Sequence, residues 1–211
     1  MISKNLIFDI DGTLWDATHQ ICEAYNEIII KENKNYPLIT DDMMANVMGL
    51  LIPDIADQFF PYLSKSERLA FIEKCCNNEN NHLKTHGGIL YPHVEEVLSQ
   101  LSKTHNLFIV SNCQDGYIHA LFTAHPIGQY FEDSECSGRT GFPKGKNIRL
   151  LMERNNLKDA VYIGDTQKDK EACIDAQIPF IYAAYGFGTV DSFDAKIDTF
   201  DQLLTLFASQ S

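Results

Sequence analysis

The sequence has no hydrophobic run long enough to cross a membrane, and its early apolar stretch is interrupted by Asp9 and Asp11. We therefore expect neither a membrane span nor a signal peptide. Positive charge is also scarce, with 17 Lys and Arg against 29 Asp and Glu and a formal net charge of -12. This balance argues against a broad basic face, so a nucleic acid polymer is not an expected partner.

The cysteines form no CxxC pair and show no metal-ligand spacing. This usage predicts free thiols in a reducing compartment, and hence a cytoplasmic protein. Hydrophobic residues make up 45% of the 211 residues and charged residues 22%, which is typical of a globular protein with one core or one core and a small appended part. The six cysteines are Cys22, Cys75, Cys76, Cys113, Cys136 and Cys173.

The most informative stretch that is present runs from residue 5 to residue 14, NLIFDIDGTL. Its apolar residues suit a parallel strand that is covered on both faces, and Gly12 supplies the turn that ends it. Asp9 and Asp11 would lie on the same side of a regular strand, so their charges must be neutralised or their roles separated. A nucleophilic carboxylate beside a divalent cation, with the second carboxylate as proton donor and acceptor, is one solution. An acidic turn on the surface is the alternative.

The rest of the chain shows two kinds of sequence pattern. Residues 16–85 show only helical patterns, including a possible capping box of Ser64 and Glu67, and they look like an insertion. From about residue 86 onward, strands and helices alternate, which predicts a doubly wound parallel α/β sheet, a Rossmann-like core. We therefore expect a core domain of residues 1–15 and 86–211 and a helical cap domain of residues 16–85.

Several element bounds follow from the same patterns. The first helix should end between Asn33 and Pro37 and the long helix from Ser64 near Asn80, while Phe131 and Glu132 should lead into a loop at 137–141. The expected later strands are 107–110, 160–163 and 179–183, and the expected helices are 94–101, 117–123, 146–155 and 168–176.

Polar side chains follow three of the predicted strands. The carboxyl ends of parallel strands meet along one edge of a sheet, where ligands bind. Asp165 and Asp169 are one helical turn apart, so both can face the same point, and an oxygen-only ligand set favours Mg²⁺. A helix cap and a solvated charge are the alternatives for this pair. The three strand-end groups are Asp9 with Asp11, Ser111 with Asn112, and Asp165 with Asp169.

The string D-I-D-G-T-L resembles the first motif of the haloacid dehalogenase-like hydrolases. Ser111 and Asn112 resemble the second motif, and G-D-x-x-x-D at 164–169 is similar to the fourth. The third is a lysine before a helix, for which Lys144 fits the family spacing better than Lys146. The insertion is similar to the small helical cap of phosphoglycolate phosphatase-like members, in which the turn at 48–50 would face the substrate.

This resemblance implies a Mg²⁺-dependent phosphatase acting on a small phosphorylated metabolite. Asp9 would attack phosphorus to give an aspartyl-phosphate, and Asp11 would protonate the leaving group and then activate water. Lys144 would balance the charge. The substrate-binding residues implied are Gly12, Thr13, Ser111 and Asn112, and the metal-binding residues are Asp9, Asp11, Asp165 and Asp169.

Other functions remain open on the same fold. Asp11 argues against a dehalogenase, which needs no proton donor. A sugar-phosphate mutase would use the same aspartates, although its histidine is only loosely matched by His19, and a catalytically silent binding protein is a further alternative. Phosphoglycolate, a nucleotide monophosphate and a sugar phosphate are all possible substrates, and the protein would be a monomer or a homodimer.

Overall fold

The computed structural model describes residues 3–32 and 35–208. Six parallel strands form its main sheet, and two short strands form a separate antiparallel ribbon. In chain order the strands are β1 (Asn5–Phe8), β2 (Trp15–Asp16), β3 (Ile89–Leu90), β4 (Asn106–Ser111), β5 (Phe131–Cys136), β6 (Val161–Gly164), β7 (Phe180–Ala183) and β8 (Ala195–Ile197).

Strand β1 lies in the middle of the main sheet, whose spatial order is β5-β4-β1-β6-β7-β8. Its residues are buried on both faces, as its continuous apolar sequence predicts. Leu6 and Phe8 pack into one core, while Ile7 between them packs into a second core on the opposite face. Because β4 and β6 flank β1, the residues after these three strands meet at one edge.

The described residues between β2 and β3 form four helices. Several of their apolar residues line the cavity at the carboxyl edge of the sheet, among them Ile21, Met44 and Ile55. The β2–β3 ribbon, with Trp15 opposite Leu90 and Asp16 opposite Ile89, joins this helical insertion to the core. The helices are α1 (Thr18–Lys31), α2 (Asp41–Ala45), α3 (Ile52–Phe59) and α4 (Lys65–His86).

The remaining helices lie between the strands of the main sheet or follow the last one. The predicted fold class, a doubly wound parallel sheet with a helical insertion, is thereby confirmed. These helices are α5 (Val94–Leu101), α6 (Tyr117–Ala124), α7 (Ser137–Thr140), α8 (Lys144–Arg154), α9 (Gln167–Ala176) and α10 (Gln202–Leu206), with a 3-10 turn at Gly128–Tyr130.

Strand β5 and helix α7 differ from the sequence prediction, which had no strand at 131–136 and a loop at 137–141. The polar string FEDSEC pairs with β4 at the sheet edge, and arginines outside the strand form ion pairs with its Asp133 and Glu135. Glu135 is buried, yet it accepts hydrogen bonds from Arg139 at 2.7 Å and Arg154 at 2.8 Å. Arg154 is 19 positions from Glu135, so no local pattern indicates this contact.

Helix α4 ends at His86 rather than near Asn80. Asparagine favours turns over helices, but here its side chains bond to neighbouring elements. Asn78 donates to the backbone oxygen of Ala24 at 2.9 Å, and Asn80 donates to that of Asp115 at 2.8 Å. These contacts hold the Asn-rich stretch in helical form.

The start of α4 matches the prediction. Ser64 caps the helix, its hydroxyl accepts from the backbone N–H of Glu67, and the Glu67 carboxylate accepts from the backbone N–H of Ser64. Helix α1 ends at Lys31, and the predicted end of this helix falls partly on Asn33 and Lys34, which lie outside the described residues. Over the described ranges, no helix has the length and apolarity needed to span a membrane.

Candidate active site

Asp9 follows β1 and is buried where the three central strands end. Its backbone N–H donates to the carbonyl of Ile163 at 2.9 Å, which continues the pairing of β1 with β6 by one residue. Ser111 ends β4 on one side, and Asp165 follows β6 on the other. The parallel sheet therefore brings together the three strand-end groups that were predicted to meet.

Lys144 is the cation of this site. Its Nζ lies 2.9 Å from Oδ2 of Asp9 and 2.5 Å from Oδ1 of Asp169. Burial lowers the pKa of Lys144, but the carboxylates of Asp169 and Asp9 outweigh burial and raise that pKa overall. Lys146, the other candidate, is exposed, and its Nζ lies over the Phe142 ring.

Asp9, Asp165 and Asp169 form a buried cluster of three acids, whose potential ligand atoms lie within 4.8 Å of one another. Asp169 is fully bonded: besides Lys144, it accepts from the backbone N–H groups of Asp165 and Thr166 and from the Thr166 hydroxyl at 2.7 Å. Oδ1 of Asp9 and Oδ1 of Asp165 are buried and have no hydrogen-bond partner. Two unpaired carboxylate oxygens beside a single lysine fit a hard cation.

The pKa values of these acids show how unfavourable the negative charge is without a cation. Burial raises the pKa of Asp9 to about 6, although Lys144 opposes the rise. Burial, followed by repulsion from Asp169 and Asp9, raises the pKa of Asp165 well above its usual range. Ionisation of the three clustered acids is therefore unfavourable in the metal-free protein.

Gly12 allows the chain to turn between the aspartates. Its φ is +77°, and a Cβ built there would lie 2.1 Å from Oδ2 of Asp165. Any other residue would push Asp165 out of place, and the backbone itself would be strained. Gly12 thus leaves the space that Asp165 needs in the three-acid cluster.

Asp11 is not one of the three clustered acids, and its side chain bonds to other residues. Its Oδ1 accepts from Nε1 of Trp15 at 2.9 Å and from the hydroxyl of Tyr117 at 2.5 Å, which leaves Oδ2 for other partners. Burial raises the pKa of Asp11 to about 7, and the Tyr117 hydrogen bond limits the rise. A carboxyl group with this pKa can donate and accept protons near neutral pH.

A cavity of about 40 Å³ lies between residues of the core and residues of the helical insertion. Asp9, Asp11, Ser111 and Asn112 line it from the core. The insertion contributes mainly apolar side chains and one buried acid, namely Ile21, Tyr25, Met44, Met48, Ile55 and Glu79.

The turn at residues 48–50 lines one wall of this cavity, and its contact with the substrate stays a prediction. The Nδ2 of Asn112 donates to the carbonyl of Gly49 at 2.8 Å, and Oδ1 of Asn112 accepts from Ser137 at 3.0 Å. Asn112 therefore links the insertion to the core, and its amide is already bonded in this conformation.

Two predicted substrate-binding residues do not line the cavity. The N–H of Gly12 donates to Trp15 at 3.0 Å, and that of Thr13 donates to Ile10 at 3.1 Å. The Thr13 hydroxyl is buried without a partner. Both residues shape the loop after β1, and their part in substrate binding stays a prediction.

His19, the loose match to a mutase histidine, does not line the cavity, and neither does Arg139. His19 is on the surface, where its ring pairs with Asp41 and Glu23. Arg139 bonds to Glu135. Neither side chain contacts the three-acid cluster or Asp11 in the described structure.

Tyr117 and Glu79 are the site residues that sequence reasoning missed. Tyr117 begins α6, which was predicted, but its hydrogen bond to Asp11 spans 106 positions. Glu79 stands among asparagines, a pattern that indicates an exposed helix face, yet it is only 3% exposed. Burial raises the pKa of Glu79 to about 8.

The sequence profile of the haloacid dehalogenase-like hydrolase family matches residues 6–183 of this chain. A phosphoglycolate phosphatase from Vibrio parahaemolyticus is 24% identical over 97% of this chain and 96% of its own length. A phosphoserine phosphatase from Bos taurus is 24% identical over 88% of this chain and 84% of its own length.

Solved structures show the same fold. A haloacid dehalogenase-like hydrolase from Bacteroides fragilis aligns with a TM-score of 0.84 at 21% identity, covering 96% of this chain and all of the other. The family profile extends from β1 to β7 and so includes Asp9, Lys144 and Asp165. The chain therefore belongs to the haloacid dehalogenase-like hydrolase family and is an enzyme.

Proposed function

We propose that this enzyme is a Mg²⁺-dependent phosphatase that hydrolyses small phosphomonoesters through an aspartyl-phosphate on Asp9. One observation carries the proposal. The buried carboxylate of Asp9 has one oxygen paired with Lys144 and the other without a hydrogen-bond partner, and it belongs to the cluster with Asp165. A carboxylate held in this way is suited to nucleophilic attack next to a cation.

In the first step, a carboxylate oxygen of Asp9 forms a bond to phosphorus, and the ester P–O bond breaks. Asp11 gives its proton to the departing oxygen, for which a pKa of about 7 is suitable. The hydrogen bonds from Trp15 and Tyr117 fix the Asp11 carboxyl in a separate position from Asp9. The two aspartates thus have different tasks because their surroundings differ.

In the second step, Asp11 takes a proton from water, and the water oxygen attacks phosphorus. The bond between phosphorus and Asp9 breaks, which releases inorganic phosphate and restores the Asp9 carboxylate. Lys144 faces Asp9 throughout and compensates negative charge on the transferred group. Ser111 lines the same cavity and can donate its hydroxyl to a phosphoryl oxygen.

The free oxygens of Asp9 and Asp165 would hold Mg²⁺, and Asp169 would orient Lys144 beside them. A backbone carbonyl of Ile10 or Asp11 would be a third ligand. The Ile10 carbonyl already accepts from the N–H groups of Thr13, Leu14 and Trp15, which favours that of Asp11. When bound, Mg²⁺ would neutralise the carboxylates and polarise the phosphoryl group.

The proposed partner is a small phosphorylated metabolite, and phosphoglycolate is one ester to test because curated relatives are phosphoglycolate phosphatases. We also propose that the enzyme works in the cytoplasm. All six cysteines are buried free thiols, which suits a reducing compartment.

The test is phosphate release from a panel of small phosphomonoesters with Mg²⁺ and with EDTA. We expect turnover in Mg²⁺ only, and its loss in Asp9→Asn. Lys144→Ala should lose turnover as well, whereas Lys146→Ala, a matched change two positions away on the surface, should keep it. Absence of release from every ester, or undiminished release by folded Asp9→Asn, would contradict the proposal.

A further inference from the structure

Three of the seven histidines lie together where helices α1 and α4 of the insertion pack against each other. On α1, His19 is one helical turn before Glu23. On α4, His82 is one turn before His86. Side chains one turn apart project from the same side of a helix. The two helices therefore bring three imidazoles and a carboxylate together, and none of these four residues lines the cavity of the active site.

Glu23 holds the central position in this group. Its Oε1 lies 3.5 Å from Nε2 of His19, and its Oε2 lies 3.6 Å from Nε2 of His82. Both separations are longer than an ordinary hydrogen bond of about 2.9 Å. In a tetrahedral zinc site with bonds of about 2.0 to 2.2 Å, neighbouring ligand atoms are about 3.3 to 3.6 Å apart. Each nitrogen thus already lies near the distance from Glu23 that a shared metal ion requires.

The other ring nitrogen of His19 and of His82 faces a different carboxylate. Nδ1 of His19 lies 2.9 Å from Oδ2 of Asp41, and Nδ1 of His82 lies 3.6 Å from Oε1 of Glu27. Asn78 donates to the second oxygen of Glu27 at 2.8 Å, which holds that carboxylate in place. A metal-ligating histidine usually directs its second ring nitrogen at a carboxylate, which fixes the tautomer and orients the ring. Both histidines have this arrangement, and it leaves Nε2 of each for a metal.

The Nε2 atom of His82 is buried and has no hydrogen-bond partner. A proton on this atom would not satisfy it, because Oε2 of Glu23 is too far away for a hydrogen bond. The His82 side chain is only 8% exposed, whereas those of His19 and Glu23 are 60% and 52% exposed. Glu23 lies between the two nitrogens in this conformation. The exposed side chains can turn toward a metal ion that His82 holds from inside.

His86 lies next to His82 and offers a further nitrogen. The two rings are stacked, with centroids 4.1 Å apart. Nδ1 of His86 lies 3.1 Å from the backbone oxygen of His82 and can donate to it, which leaves Nε2 for a metal. Imidazole ligands favour Zn²⁺ and similar transition metals, whereas Mg²⁺ prefers oxygen ligands. The chemistry of this group therefore differs from that of the three-acid cluster.

We propose that His19, Glu23 and His82, with His86 beside them, bind one Zn²⁺ ion between α1 and α4. These are the two longest helices of the insertion, so the ion would stabilise the insertion on a side that does not face the active-site cavity. The ion takes no part in the reaction proposed above. This site can therefore be present whether or not the protein is a phosphatase.

Calorimetric titration of the full chain with Zn²⁺ in excess Mg²⁺ tests the proposal, because Mg²⁺ competes for carboxylates but poorly for imidazoles. We expect one Zn²⁺ per chain in the wild type. The affinity should fall by at least about ten-fold in each of His82→Gln, His19→Gln and Glu23→Gln. His119→Gln, the same change on an exposed histidine of α6 in the core, should bind Zn²⁺ as the wild type does.

Thermal unfolding gives a second readout that does not depend on activity. Zn²⁺ in excess Mg²⁺ should raise the unfolding midpoint of the wild type and of His119→Gln, but not that of His82→Gln. The His19→Gln and Glu23→Gln variants change exposed side chains, so they test the site even if the buried His82→Gln variant fails to fold.

Two results would overturn the proposal. One is a wild type that binds no Zn²⁺ in excess Mg²⁺, or folded variants at all three ligand positions that bind it as tightly as the wild type. The other is loss of Zn²⁺ binding in Asp165→Asn together with its retention in Glu23→Gln, which would assign the ion to the three-acid cluster.

Discussion

At the scale of single residues, the two aspartates after β1 differ because their neighbours differ. Asp9 faces Lys144 and the other carboxylates, while Asp11 is held by the indole of Trp15 and the hydroxyl of Tyr117. The hydrogen bond from Tyr117 favours the ionised form of Asp11 and so limits the rise of its pKa. Tyr117 is therefore expected to tune the pH at which the acid works.

Tyr117→Phe removes this hydrogen bond and should raise the pKa of Asp11. Because Asp11 must be protonated to assist the leaving group, the fall of kcat/KM at high pH should move upward by about one pH unit. The measurement is the pH profile of kcat/KM with Mg²⁺. The control is Tyr62→Phe, because Tyr62 is exposed and does not line the cavity. A profile unchanged by Tyr117→Phe would show that this hydrogen bond does not govern the acid.

At the scale of elements, helix α9 begins with a capping box that is also part of the site. The Thr166 hydroxyl donates to Oδ2 of Asp169 at 2.7 Å and accepts from the backbone N–H of Asp169. Asp169 in turn holds Lys144. A helix start that is ordinary in its chemistry thus positions the cation of the site.

Thr166→Ala and Ser64→Ala remove the caps of α9 and α4, respectively. Each should lower the free energy of unfolding by about 1 kcal/mol. Only Thr166→Ala should also lower kcat, because Ser64 is exposed and its box is not linked to the site. Unfolding in denaturant and steady-state kinetics of both variants measure the two effects. Equal kinetics for the two would contradict a positioning role for the α9 cap.

At the scale of the whole molecule, the buried acids of the site lower the free energy of unfolding when they are ionised. The raised pKa values are about 6 for Asp9, about 7 for Asp11 and about 8 for Glu79, against usual values of 3.8, 3.8 and 4.5. Each acid binds its proton more tightly in the folded than in the unfolded protein. Stability is therefore highest below about pH 4 with respect to these groups and is lost as pH rises toward 8.

In EDTA, the free energy of unfolding should fall between pH 5 and pH 7, with a slope of about 1.4 kcal/mol per pH unit for each group that stays protonated only when folded. Mg²⁺ should reverse part of the fall by binding the folded form. Asp165→Asn should flatten the dependence on pH and weaken the response to Mg²⁺. Denaturant titrations at several pH values, with and without Mg²⁺, give the result. A metal-free protein whose stability rises over this range would contradict the pKa assignments.

The local sequence determined the elements that have their own periodicity or motif. The strand that ends at Asp9, the turn at Gly12, the helical insertion and the capping box at Ser64 could be predicted because each depends on neighbouring residues. Strand β5 could not be predicted, because its charges are neutralised by side chains from later helices.

The sequence by itself determined which chemical groups the site contains, namely the strand-end aspartates and a lysine of the third motif. Only the tertiary structure decided their partners: Lys144 with Asp9 and Asp169, and Tyr117 with Asp11. It also buried Glu79, which stands in a polar stretch, inside the cavity. The physical reason is that burial and charge pairing depend on residues that lie far apart along the chain, and no local pattern records such contacts.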